Sequence, residues 1–449
     1  MSDFVYLIYP YLINAFIVIL VAIIFLPAQY LPQHPLYSLI QWLELYAYKV
    51  HTKFVNSPKE TFIRIILFDE EFFQQNPGVR KSPLDRKILA KVLDNLSTLN
   101  PKVVAIDIDI YYQLRPFLEE TSAIYSFSNQ WLDEIEQADY DLVVSVNKLA
   151  NKTFVILPLL EPENQNTQRM QYAESKNLFY GNSRATIQDP DQIIYELPVW
   201  EPESKNNLPG IRRLPKPSFA YAVWAAYNGL PNSYFLTRQI QQNTENQLLR
   251  NLNYFESKQQ TLINYGYKIS QDERVPAFRP VSAKYFTGSS TVISNEIKKD
   301  FDNKIILIGR NTFLKYPILE REDRYLTPHL NKRLSGVFLQ GIFIDNFVNR
   351  LWLAKMGWFQ GAVFGTVVSI ILGWIILFFS QYTTKNQLPL LNTLLSDPLL
   401  SLSFGILISV IVTFLVNLFF LKKGIYTISF ALIPLTSYLE TILQIVGKK

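Results

Sequence analysis

The sequence predicts an α/β soluble domain with a mixed, largely parallel sheet, joined to four transmembrane α-helices, one N-terminal and three C-terminal. Two observations predict it. Four apolar stretches, Phe4 to Leu26, Trp358 to Phe379, Leu399 to Leu421 and Ile425 to Ile445, each approach the roughly 20 apolar residues that cross a hydrocarbon core of about 30 Å. Between the first and second, short β-branched runs alternate with amphipathic helical patterns, as in layered α/β domains. The chain therefore divides into residues 1–29, an N-terminal signal anchor; 30–357, the soluble domain; and 358–449, a three-helix membrane region.

The elements follow in order. Pro27, Pro32 and Pro35 mark a linker, and Ile40, Leu43 and Ala47 give Tyr37 to Tyr48 a helical face. Phe62 to Phe68 reads as a buried strand ending at Asp69. Ser82 and Pro83 open a helix, Ser82 as cap, with Leu84, Ile88, Leu89, Val92, Leu93 and Leu96 on one face. Pro101 stops it, and Lys102 to Ile108 is the next strand. Strand, helix and strand with short links form a parallel crossover. A short helix at Trp131 to Ala138 follows, then strands at Asp141 to Val146 and Thr153 to Leu157. Pro217 to Tyr227 is a helix, Gln260 to Asn264 and Lys304 to Ile308 are strands, and Gly336 to Arg350 is the last helix before the second apolar stretch. Glu161 to Ser175 and Pro231 to Ser257, rich in Asn, Gln and Glu, read as exposed insertions.

Composition narrows the chemistry. Hydrophobic content of 49% fits a soluble domain averaged with spans. The net charge of +5 and the absence of a long basic run point away from nucleic acid. There is no cysteine, hence no disulfide and no thiolate nucleophile or ligand. His34, His51 and His329 are widely separated, so no metal site is expected, and no cofactor. The first apolar run is too long for a cleaved signal and has no Lys or Arg before it. Lys422 and Lys423, in the turn between the last two stretches, vote against an outside placement of the large domain.

Ordered sequence blocks carry a resemblance. Lys102 to Asp107, Asp189 to Asp191 followed by Leu197 to Trp200, Pro217 to Ala220, Ile263 to Tyr265, Lys304 to Gly309, Thr327 with Pro328, and Gly336 with Val337 occur in sequence over nearly the whole soluble region. Their order resembles the type-two CHASE domain, the cyclase/histidine-kinase-associated sensory extracellular domain. The anchor in front and the spans behind match that family's layout. The chain departs from it at Tyr195 and Glu196, at Asn264 to Gly266, which lacks an Arg before the Gly, and at Gly309 to Asn311. The resemblance implies an extracytoplasmic sensory module in a bacterial plasma membrane. Only Val446 to Lys449 follow the last stretch, so no catalytic output domain is expected there.

Candidate ligand-binding residues are Asp69, Asp107, Asp109 and Arg310, at the carboxyl ends of predicted strands, where open α/β sheets bind ligands. The alternative is structural: the carboxylates cap helices and loops, and Arg310 neutralises Asp107. Asp107 and Asp109 also match the aspartate-x-aspartate start of haloacid-dehalogenase-type phosphatases, but Tyr111 stands where a small hydroxyl residue belongs. Gly361 and Gly365 form a helix-packing pair in the second stretch, either between copies or within the chain. Glu440 sits in the fourth stretch within about two turns of Lys448, an interfacial depth. The expected protein is a membrane-embedded homodimer that senses outside and signals through its spans, or the Ser380 to Pro398 loop, to a separate partner. The alternatives are a scaffolding subunit of a membrane complex and a phosphatase using Asp107.

Overall fold

The computed structural model describes residues 58, 60–80, 84–116, 128–159, 170–183, 217–230, 261–288, 293–311, 324–327, 333–355, 367, 419 and 425–426. Two compact units divide the chain, one of residues 56–257 and 263–352, the other of residues 1–55, 258–262 and 353–449.

The larger unit is built on a six-stranded sheet. Its strands are β1 (Ile63–Asp69), β2 (Val103–Asp107), β3 (Phe154–Pro158), β4 (Leu178–Gly181), β5 (Val281–Ser282) and β6 (Ile305–Asn311). The order across the sheet is β4-β3-β2-β6-β1-β5, and every pairing in it is parallel. The expected mixed sheet is thus parallel throughout its described strands. Among the described residues the antiparallel pairing of this unit is a separate ribbon of β7 (Arg324–Leu326) and β8 (Arg333–Ser335). Parallel strands covered on both faces read as unbroken apolar runs, and β1 is buried along its whole length. β1 and β2 are not neighbours, because β6 enters between them late in the chain.

Helices cover both faces. They are α1 (Glu70–Gln75), α2 (Arg86–Leu96), α3 (Asn129–Ala150), α4 (Phe219–Tyr227), α5 (Asn295–Phe301) and α6 (Gly336–Asn349). Leu89, Val92, Leu93 and Leu96 of α2 share a core with Leu142, Val146 and Leu149 of α3, and with Val104, Ile106, Ile306 and Ile308 of the sheet. On the other face α4 packs with α6, and the Tyr221 and Phe347 rings lie 5.7 Å apart. A Cβ added at Gly309 would come within 2.5 Å of Val337 Cβ, so α6 lies directly on β6 there.

Two expectations change. Asp141 to Val146 is helical, part of the 22-residue α3. Its β-branched residues suggested a strand. Burial instead follows Leu142, Val146 and Leu149, spaced for one helix face, while Val144 is exposed. Asp85, not Ser82, caps α2, accepting from the Lys87 amide at 3.0 Å. The smaller unit takes the expected strand near Gln260: Thr261–Leu262 pairs antiparallel with Leu353–Lys355, which pairs parallel with Ile425–Tyr426. The Tyr37 to Tyr48 helix, the insertion at Pro231 to Ser257, the three histidines, Gly361, Gly365 and Glu440 lie outside the described residues. So do the four apolar stretches, isolated residues apart, and among the described residues no helix is long and apolar enough to cross a membrane.

Buried polar groups tie the layers together. Arg86 Nη1 meets Asp139 Oδ1 at 2.5 Å, joining α2 to α3 with both side chains nearly inaccessible. Arg86 also donates to the Tyr112 carbonyl, and Asp139 accepts from the Leu114 amide at 2.9 Å. On α6, Asn346 accepts from the Asn264 amide at 2.8 Å and donates to the Asn264 carbonyl at 3.1 Å. Asp345, fully buried, accepts from the Tyr267 hydroxyl and from Asn349 Nδ2. α6 ends at Arg350, in the left-handed region at φ 53°.

Two outcomes are expected. Asp139→Ala leaves the Arg86 guanidinium buried without its carboxylate, at a cost of about 3–5 kcal/mol. The double variant Arg86→Met with Asp139→Leu costs less than that single change, as denaturant unfolding of the purified chain measures. Burial pushes the Asp345 carboxyl up to about 6, against the pull of the Tyr267 and Asn349 hydrogen bonds. The folded state then holds a proton that the unfolded state releases. The contribution of Asp345 is complete below pH 3.8 and is lost as pH rises to about 6. The slope is at most about 1.4 kcal/mol per pH unit. Asp345→Asn removes that slope, which Tm measured from acid to neutral pH reads directly.

Candidate functional site

In a parallel sheet the carboxyl ends of all strands share one edge, and ligands bind where connections diverge from it. Here that edge is formed at its centre by β1, β6 and β2. Register fixes who meets whom. Asp69 pairs with Asn311, Phe68 with Arg310 and Asp107 with Gly309. Successive residues alternate between faces. Gly309 lies under Val337 of α6, so Asn311 and Asp107 share the α6 face. Arg310 lies on the other face with Ile306 and Ile308.

The four residues singled out in the sequence have different surroundings. Asp69 is buried and caps α1, accepting from the Phe72 amide at 3.0 Å. It also accepts from Ser282 Oγ at 2.9 Å and Arg274 Nη2 at 3.2 Å. Its cation is therefore Arg274, and its oxygens hold β1, β5 and the loop before β5 together. Asp107 is half-buried at the end of β2. Asp109 is exposed and accepts from the Tyr111 amide at 3.4 Å, bracing the turn after β2. Arg310 is half-buried. β6 separates Asp69 from Asp107 by two strand spacings, about 10 Å, so the two carboxylates do not form the close pair that adjacent strands would give. Among the described residues no group of His, Cys, Asp and Glu is placed to hold a metal ion.

Residues the sequence reading passed over complete the edge. α6 begins here, with Ser335 as its N-cap and Gly336 as its first residue. Among the described residues the other five α-helices are each capped by a side chain that accepts from a first-turn amide: Asp69, Asp85, Ser128, Ser218 and Ser294. Ser335 makes no such bond. Its Oγ is buried without a hydrogen-bond partner, and so is Asn311 Oδ1. The signal for Ser335 was present, since Ser before Gly336 and Val337 is an N-cap residue in sequence. Nothing marked its bond as unmade. An open cleft of about 660 Å³ lies away from these residues, at the sheet's far edge against Tyr172, Lys176, Leu178, Tyr180 and Pro217.

The sequence blocks acquire places in this geometry. Lys102 to Asp107 covers β2, Lys304 to Gly309 covers β6, and Ser218 caps α4. Ile263 to Tyr265 is the segment gripped by Asn346, and Gly336 with Val337 starts α6 on Gly309. No curated protein and no solved structure matches the chain. The model of the CHASE2 domain, a family of sensory extracellular domains and not of catalytic ones, matches residues 17–380. The blocks at Asp189 to Asp191 and Leu197 to Trp200 lie outside the described residues. With most of its length matched, the chain belongs to the CHASE2 domain family.

Proposed function

We propose that the chain is a membrane-anchored extracytoplasmic sensor of the bacterial plasma membrane. In this reading the carboxyl edge takes a small ligand, and the apolar stretches pass the response to a separate signalling partner. One observation carries it. α6 starts against Gly309 at the edge where parallel sheets bind ligands, and it is the last helix before the apolar stretch that begins at Trp358. The membership in a sensory family supports the same reading.

The residues divide accordingly. Asp107 contributes the carboxylate on the α6 face, and Asp109 stands at the exposed rim beyond it. Asp69, held by Arg274 and Ser282, keeps β1 and β5 in place, and Arg310 serves the opposite face. Gly361 and Gly365 supply a small-residue contact between two copies in the bilayer. A ligand shifts output only by the difference in its affinity for two states. The contacts that change are those between the edge and the first turn of α6.

Two measurements test this. Glu134 is exposed on α3, and the chain has no native cysteine. Glu134→Cys is expected to react with a membrane-impermeant thiol reagent in intact cells. Reaction only after lysis places the domain inside and removes the reading. Gly361→Leu with Gly365→Leu is expected to reduce the crosslinked dimer fraction in the membrane several-fold. An unchanged fraction assigns those glycines to packing within one chain.

A further inference from the structure

Two buried oxygens without partners stand at the same edge as a helix start. Ser335 is 3% exposed and Asn311 is 8% exposed, and neither Ser335 Oγ nor Asn311 Oδ1 has a hydrogen-bond partner. Leaving such a group unpaired costs about 1–3 kcal/mol, so the pair is unexplained by folding alone. The chain elsewhere uses Ser128, Ser218 and Ser294 to cap helices. At α6 the same residue type leaves the first-turn amides without that acceptor. A helix of 14 residues carries partial positive charge at its start and favours a carboxylate or phosphate there.

The second charge at the edge has the opposite sign. Asp107 pairs with Gly309 across β2 and β6, and Val337 rests on Gly309. Strand spacing puts Asp107 about 5 Å from Gly309, and two residues of rise put Asn311 about 7 Å from it. The start of α6, Asn311 and Asp107 therefore surround Gly309 within the span of one small molecule. A donor-rich helix start with a serine hydroxyl suits an anionic group. An amide oxygen and a carboxylate on the same face suit a cationic donor.

We infer that this edge binds the zwitterionic end of an amino acid. The carboxylate meets the first-turn amides of α6 and the Ser335 hydroxyl, and the ammonium meets Asn311 Oδ1 on the side of Asp107. The inference rests on the proposed function for the choice of the carboxyl edge, and its burial limits the enclosed part to the amino-acid backbone. Which side of the membrane the domain occupies does not enter.

The test is thermal unfolding of the full-length chain in mild detergent with each of the common L-amino acids. Acetate, inorganic phosphate and methylammonium chloride serve as half-ligand probes at matched ionic strength. At least one amino acid is expected to raise Tm by about 2–4 °C at saturation, more than any half-ligand does. Ser335→Ala and Asn311→Leu are each expected to abolish that shift while leaving the unliganded Tm unchanged or higher, since each removes an unpaired buried oxygen. No shift with any amino acid overturns the inference, as does a shift retained in both variants. An equal shift from acetate or phosphate reduces the site to an anion site and overturns the zwitterion. A shift from methylammonium alone, lost in Asp107→Asn, also overturns it but leaves the edge as the ligand-binding side. A fall in unliganded Tm for both variants shows the oxygens to be structurally paired, likewise against the inference.

Discussion

The contact between Val337 and the bare backbone of Gly309 is the constraint on which the arrangement of this domain depends. β6 is the strand that separates β1 from β2, so whatever rests on β6 rests on the middle of the sheet. With no side chain at Gly309, α6 can approach the strand itself. Any larger residue would lift the helix start by a side-chain thickness, and close-packed interiors do not absorb that cheaply. The approach also aligns the helix start with the carboxyl edge. The chemistry available at that edge is thus a consequence of one missing methyl group.

The buried polar groups then fall into two kinds. Arg64, wholly inaccessible at the start of β1, donates from its Nη atoms to the carbonyls of Thr61 and Ile63 at 2.7 and 2.9 Å and to Glu60 at 2.7 Å, and its Nε makes an ion pair with Asp300 at 2.9 Å. Arg86 with Asp139, and Asn346 with Asn264, are likewise paired. These groups cost desolvation and return fixed geometry between elements. Ser335 and Asn311 pay the first part without the second. Ser335 Oγ and Asn311 Oδ1 lie at the carboxyl edge, where Asp69 by contrast accepts from Phe72, Ser282 and Arg274.

Much of the fold was legible because burial imposed a period. Phe62 to Phe68, Lys102 to Ile108 and Lys304 to Ile308 are β-branched runs buried on both faces, and they became β1, β2 and β6 with ends shifted by one to three residues. α4 and α6 were legible from their apolar lengths and bounded starts. Where composition and period disagreed, period prevailed, as in the valines of α3. The two-residue β5, the four-residue β4 and the ribbon of β7 and β8 are too short to leave a period and owe their form to neighbours. The strand order was not legible at all, because nothing local in Lys304 to Ile308 says that it inserts between two earlier strands. The site was half legible for the same reason. The aspartates announce themselves as residue types, and their grouping depends on β6. Ser335 matters through a bond it does not make, which no sequence pattern records.

The left-handed Arg350 at the end of α6 fixes where the helix stops. Its amide and that of Leu351 both return to the Asn346 carbonyl, at 3.0 Å for Leu351, which closes the helix. Residues Leu353–Lys355 are extended. The helical phase of α6 therefore stops at Arg350 and is not continued by the extended residues Leu353–Lys355.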